Sequence, residues 1–82
     1  MTTVPEGWQI VDNHHLTKTY KFPDFLQALA FVNRVGELAE DAGHHPDIDI
    51  RYNKVRLALV THDAGGLTNK DFDLAAKADK AV

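Results

Sequence analysis

Cysteine is absent from this chain of 82 residues, and that one absence excludes a disulfide framework, a thiolate zinc site and a cysteine nucleophile together. Long apolar runs are missing as well. No stretch approaches the roughly 18 residues of a membrane span, and the start, MTTVPEG, lacks the basic-then-apolar order of a signal peptide. A cytoplasmic location is the expectation. Basic charge is scarce: nine Lys and Arg residues lie scattered in a chain of net charge −3, whereas nucleic-acid binding by phosphate neutralisation needs a basic face. Internal repeats, low-complexity runs and linkers are absent too, so residues 1–82 read as a single domain.

What is present is ordinary for a globular protein: 44% hydrophobic and 26% charged residues. A chain of this size buries only about 60–65% of the surface its unfolded form exposes, so association between subunits is a natural source of further stability. Five histidines are the compositional oddity, falling as His14-His15, His44-His45 and His62. Histidine changes charge near neutral pH with little perturbation, which makes their placement informative.

The pattern of apolar residues predicts a strand over Trp8–Val11, with Trp8 and Ile10 pointing one way. Asp12-Asn13 is turn chemistry. A second strand runs from Leu16 to Phe22, with Leu16, Tyr20 and Phe22 on one face and Thr17, Thr19 and Lys21 on the other; Lys18 breaks the alternation. Asp24 then caps a helix, with Gln27 three residues on as the returning half of a capping box. Phe25, Leu29, Val32, Gly36 and Ala39 form its apolar stripe, flanked by Phe31, Val35, Leu38 and Ala42, and Gly43 ends it. After Pro46, Ile48, Ile50 and Tyr52 alternate with Asp49 and Arg51, which makes Tyr52 a core residue and Asn53-Lys54 a turn. Val55, Leu57, Leu59 and Thr61 alternate with Arg56, Ala58, Val60 and His62, placing His62 at a strand end before Gly65-Gly66. Thr68 with Asp71 forms a second capping box, opening a helix to about Ala81 that carries Phe72, Leu74, Ala75 and Ala76. The expected fold is α+β: a four-stranded antiparallel sheet with two helices on one face, in the order β-β-α-β-β-α. The sheet edges remain free for solvent or another subunit.

Chemistry concentrates in Glu40, His44, His45, Pro46, Tyr52, His62 and Asp71. Glu40 and His44 are four apart at a helix end, where the carboxylate would orient the imidazole. Pro46 biases His45 toward extended backbone, so His44 and His45 should approach a ligand from different directions. The Gly-Gly turn after His62 allows close backbone approach. Taken alone, His44-His45 is a pair suited to a helix C-terminus, Glu40 is solvated surface, and Asp71 is a cap. His14-His15 reads as turn or strand surface.

The run EDAGHHPDIDIRY, followed by THDAGGLTNKDF, closely resembles the signature of the pterin-4a-carbinolamine dehydratases: a charged residue, His-His-Pro, an aromatic, a later His, then Asp. Gly7-Trp8, YKFPDFLQALAFVNRV and YNKV extend the likeness over roughly residues 7–79. The resemblance implies dimers or tetramers, a metal-free mechanism and dehydration of 4a-hydroxytetrahydropterin to quinonoid dihydropterin, which recycles the cofactor of an aromatic-amino-acid hydroxylase. It implies His44, His45 and His62 as catalytic, with His44 and His62 the main proton-transfer residues, and Glu40, Pro46, Thr61 and Asp71 around the substrate. Many members carry a further helix ahead of the Gly-Trp segment; here six residues precede it. Family members also include a transcriptional coactivator and assembly proteins, so a non-enzymatic dimerisation module is the alternative, as is a dehydratase acting on another pterin. A histidine metal site is disfavoured, because adjacent histidines bind one metal only with awkward geometry.

Overall fold

The computed structural model describes residues 4–12 and 15–82, with the backbone alone at His62; the expected turn at Asn13 and the surface placement of His14 lie outside the described residues. The elements are β1 (Gln9–Val11), β2 (His15–Lys21), α1 (Phe25–Ala42), β3 (Asp47–Arg51), β4 (Lys54–Leu59), a short 3₁₀ turn (His62–Ala64) and α2 (Asn69–Lys80). All strand pairings are antiparallel, in the order β1-β2-β4-β3. The α+β fold expected from the alternation is the one observed.

Period-two patterning sends Leu16, Tyr20 and Phe22 from the β2 segment, and Val55, Leu57 and Leu59 from β4, into one core with Phe31 and Val35 of α1 and Leu74, Ala75 and Ala78 of α2. Tyr20 packs its ring against Phe31 in a tilted arrangement, 4.6 Å between centroids and 49° between planes, within the range where aromatic pairs attract beyond their buried area. The Lys18 interruption has a physical resolution. Lys18 lies on the core side of β2 and reaches Asp79 of α2 with its ammonium group at 2.8 Å, over the Tyr20 ring. The Trp8 indole and the Tyr20 hydroxyl donate to the same carboxylate.

Several local expectations shift. The buried line of α1 is Ala28, Phe31, Val35 and Ala39, so the stripe beginning at Phe25 is rotated toward the margin and Phe25 itself is exposed. Trp8 precedes β1 and is buried, while Ile10 is exposed. The β3–β4 register pairs Arg51 with Lys54, which makes the turn Tyr52-Asn53, one residue earlier than expected. Tyr52 consequently leaves the core: it is 67% exposed and adopts φ 56°. β4 ends at Leu59, and His62 opens a 3₁₀ turn instead of closing the strand.

Both helix starts follow from their caps. The Asp24 side chain accepts the Gln27 backbone N–H at 2.8 Å, and Asp71 accepts the Thr68 backbone N–H at 2.9 Å. Gly36, inside α1, is a weak point with no local justification: a methyl group there would meet nothing within 4 Å. Gly36→Ala is expected to raise unfolding stability by about 0.5–1 kcal/mol through helix propensity. A urea titration that showed no gain would mean that the space over Gly36 is occupied in solution.

Candidate active site

The end of α1 decides which histidine points where. Gly43 takes the left-handed conformation (φ 63°) and donates its N–H back to α1, while the His44 N–H bonds the Ala39 carbonyl at 3.1 Å. This closing turn satisfies carbonyls that the helix end would otherwise leave bare. It also swings His44 inward. The expected partnership of Glu40 with His44 is therefore replaced. His44 pairs with Asp71, Nε2 to Oδ1 at 2.5 Å, and Glu40 pairs with His45, Oε1 to Nε2 at 2.5 Å. The i, i+4 rule needs a continuing helix, and α1 has already ended at Ala42.

The two pairs differ in environment. Asp71 is fully buried and the His44 side chain is nearly so, whereas the Glu40 and His45 side chains are 78% and 61% exposed. A buried carboxylate is tolerated only with its oxygens occupied, and Asp71 meets that demand. Its second oxygen accepts the Thr61 hydroxyl at 2.8 Å and the Thr68 N–H at 2.9 Å. No buried side-chain polar atom among the described residues lacks a partner.

Hydrogen bookkeeping fixes the roles. An ionised carboxylate accepts only, so His44 holds its proton on Nε2 and leaves Nδ1 for another group. Thr61 has one hydroxyl hydrogen, committed to Asp71, so in its 2.7 Å contact with Thr68 the donor is Thr68. A polarised chain thus runs from the Thr68 hydroxyl through Thr61 and Asp71 to His44. The sequence pointed to Asp71 through its capping spacing, and nothing in it pointed to the hydroxyl link between Thr61 and Thr68, which depends on the Thr61–Gly66 bridge folding the loop back on itself.

Around these groups lies a hollow of ≈ 240 Å³ lined by His44, His45, Val60, Thr61, Asp63 and Lys70. It shares Thr61, Asp63 and Lys70 with a second recess at the start of α2. On the other side of His45 a larger cleft of ≈ 810 Å³ runs along α1 toward β3, lined in part by Glu40, Pro46 and Ile48. His45 borders both. Thr61 and Gly66 exchange backbone hydrogen bonds, so the loop that begins at His62 is pinned beside the smaller hollow. Thus His44, His45, Thr61 and Asp71 come together at one place, with Glu40 and Pro46 on its outer rim. His62 contributes its backbone position to the same loop, and Tyr52 stands apart at the hairpin tip.

A family model described as pterin 4 alpha carbinolamine dehydratase matches residues 1–81. A Chloroflexus aggregans protein carrying the provisional name pterin-4-alpha-carbinolamine dehydratase is 59% identical over 75 residues, 92% of this chain and 80% of that protein. A Brucella melitensis crystal structure described as a transcriptional coactivator/pterin dehydratase shares 36% identity. It superposes with TM-score 0.89 across 93% of this chain and 82% of its own. A pterin dehydratase-like protein described as a RuBisCO assembly factor in the alpha-carboxysome is 24% identical, with TM-score 0.74 over 90% of this chain and 84% of its own; that likeness concerns the fold alone.

Proposed function

Since this chain belongs to the pterin-4a-carbinolamine dehydratase family, we propose that it removes water from a 4a-hydroxytetrahydropterin to give the quinonoid dihydropterin. The observation that carries the reading is the pair of adjacent histidines, each with Nε2 held by its own carboxylate. Dehydration breaks the C4a–O bond, protonates the departing hydroxyl to water, removes the proton on N5 and forms the N5=C4a bond. One proton is given and one is taken, so the step needs an acid at the C4a hydroxyl and a base at the adjacent N5–H, and no net proton.

Imidazoles suit both roles because general acid–base catalysis is most efficient when the catalyst titrates near the working pH. His44, oriented by Asp71, presents Nδ1 from the buried side. His45, oriented by Glu40, presents Nδ1 from the solvent side. His62 is the third catalytic histidine, delivered by the loop pinned at Thr61 and Gly66. Thr61 and Pro46 bound the substrate, and Asp71 and Glu40 act on it through the histidines they hold. The product would return to a pterin-dependent aromatic-amino-acid hydroxylase as its recycled cofactor. The setting is cytoplasmic; among the described residues no helix is long and apolar enough to cross a membrane.

Generating the carbinolamine with such a hydroxylase and following its ultraviolet decay tests this directly. The wild-type chain should accelerate decay above the spontaneous rate. His44→Ala, His45→Ala and His62→Ala should each lose about 10²–10⁴ of that acceleration. A wild-type protein that adds nothing to the spontaneous rate would overturn the enzyme reading in favour of a non-enzymatic assembly role.

A further inference from the structure

Carbinolamine chemistry constrains where the substrate's side chain leaves the site. On the pterin ring C4a, N5 and C6 are consecutive atoms, so a substituent on C6 projects from the same end of the ring as the two atoms that the histidines serve. The hollow beside His44 and His45 is ≈ 240 Å³, below the roughly 300–1,000 Å³ of most small-molecule sites. A substituted ring therefore needs a neighbouring space. Two adjoin the hollow. The ≈ 810 Å³ cleft along α1 shares with it, among the described residues, only His45, whose ring is held at that boundary by Glu40. The ≈ 450 Å³ recess at the start of α2 shares Thr61, Asp63 and Lys70 with it and so continues directly from the hollow.

The recess has the chemistry of a site for hydroxyl groups. A hydroxyl both donates and accepts, and the recess offers both kinds of partner. The Lys70 ammonium donates, the Asp63 carboxylate accepts and the Asn69 amide does either. All three side chains are exposed, and among the described residues none of them makes a hydrogen bond or ion pair. Asp63 and Lys70 thus border one space with opposite charges that stay unpaired. The cleft differs: its charged side chains, Glu37, Glu40 and Asp41, all accept and none donates.

Thr68 ties the recess to the catalytic chain. It is half-buried, its hydroxyl hydrogen is committed to Thr61, and the capping box turns one lone pair of its oxygen toward the Asp71 N–H. One lone pair remains. A hydroxyl donating to it extends the chain from Thr68 through Thr61 and Asp71 to His44 in the direction that chain already runs, and hydrogen bonds in such a chain reinforce one another.

We propose that the recess is the subsite for the C6 side chain, that it selects pterins with a hydroxylated side chain over 6-methyl pterins, and that Thr68 and Lys70 read the difference. The substrate is then a 6-(polyhydroxyalkyl) pterin. Its hydroxyl nearest the ring donates to the Thr68 oxygen, and an outer one accepts from Lys70. The path of the side chain rests on the dehydratase reading, because the histidines place C4a and N5 in the hollow.

Two 7,8-dihydropterins that differ only at C6, one carrying a 1,2-dihydroxypropyl group and the other methyl, test this by calorimetry without turnover. The wild-type chain should bind the dihydroxypropyl compound about 10-fold more tightly, the worth of one to two net hydrogen bonds. Thr68→Val and Lys70→Ala should each bring the ratio of the two affinities below about 3, and Thr68→Ser, which keeps the hydroxyl, should retain it. Lys70 is exposed, so its variant reports even where loss of the Thr68 hydroxyl weakens the start of α2. Equal affinities in the wild type would overturn the subsite. A ratio unchanged in both Thr68→Val and Lys70→Ala would put the side chain in the cleft behind His45 and overturn it likewise. Failure of both dihydropterins to bind would overturn it together with the pterin reading. A preference that is lost in both variants, in a wild type that does not accelerate carbinolamine decay, would remove the dehydratase reading and leave the subsite standing.

Discussion

Asp71→Asn is expected to leave a folded protein that dehydrates the carbinolamine about 10²–10⁴ times more slowly. Three donors converge on Asp71: the His44 Nε2–H, the Thr61 hydroxyl and the backbone N–H of Thr68. A carboxylate accepts all three, but an amide offers one oxygen and one NH₂. The Thr68 N–H belongs to the backbone at the start of α2 and cannot turn away, so the amide oxygen stays on that side. Its NH₂ then faces His44, which must accept at Nε2 and carry its proton on Nδ1. The tautomer is inverted at the atom offered to substrate, although the ring has barely moved. Stability should fall by about 1–3 kcal/mol, the cost of a degraded buried hydrogen-bond set. Carbinolamine decay measured beside a thermal melt separates the two effects. A rate within threefold of wild type would show that Asp71 is only a cap for α2.

The second large effect is on folding. Asp79→Ala should destabilise the protein by about 2–4 kcal/mol, a large share of the roughly 4–12 kcal/mol expected for a domain of this size. One carboxylate ties three segments together, taking the Trp8 indole at 3.1 Å, the Lys18 ammonium at 2.8 Å and the Tyr20 hydroxyl at 2.5 Å. Truncation strands all three donors, one of them charged and over an aromatic ring. Burial pushes the Asp79 carboxyl up, but hydrogen bonds from Lys18, Tyr20 and Trp8 and the Lys18 charge outweigh it and hold the group below its ordinary value of 3.8. The sign follows. A carboxyl titrating lower in the folded state contributes fully above its unfolded value, and the contribution is lost as pH falls through the folded value. Urea midpoints of wild type and Asp79→Asn should therefore differ most near neutrality and converge below about pH 4. Equal midpoints at pH 7 would mean that the three donors find water at no cost. The Tyr20 hydroxyl is displaced the other way: burial first, then its bond to Asp79 and the Asp79 charge, push it far up. Its share of stability is present below its ordinary value of 10.0 and declines as pH rises above that.

Much of this architecture was legible because it is local. Asp24, Gly43 and Thr68 act within a turn of where they stand, and the alternation in β2 and β4 records which face meets the helices. The misreadings arose where a local rule met a longer constraint. Lys18 looks like a flaw in β2 because its partner, Asp79, lies 61 residues away. The apolar face of α1 is wide enough to admit two stripes, and packing against β4 and α2 chose the one through Phe31. Tyr52 extends the alternation of β3 but falls in the turn, since the β3–β4 register pairs Arg51 with Lys54. At the site, residue types and spacing pointed to the right histidines and carboxylates, while their partnerships depended on the handedness of Gly43. One left-handed residue exchanges Glu40 for Asp71 as the partner of His44.

His44 and His45 are neighbours in sequence that work in different media. The Glu40–His45 pair faces water, where counter-ions gather within a screening length of about 8 Å at physiological salt. The His44–Asp71 pair is shielded from them by Thr61, Thr68 and the body of α2. Ionic strength therefore acts on the outer half of the site, loosening how His45 is held, and leaves the inner half's alignment untouched.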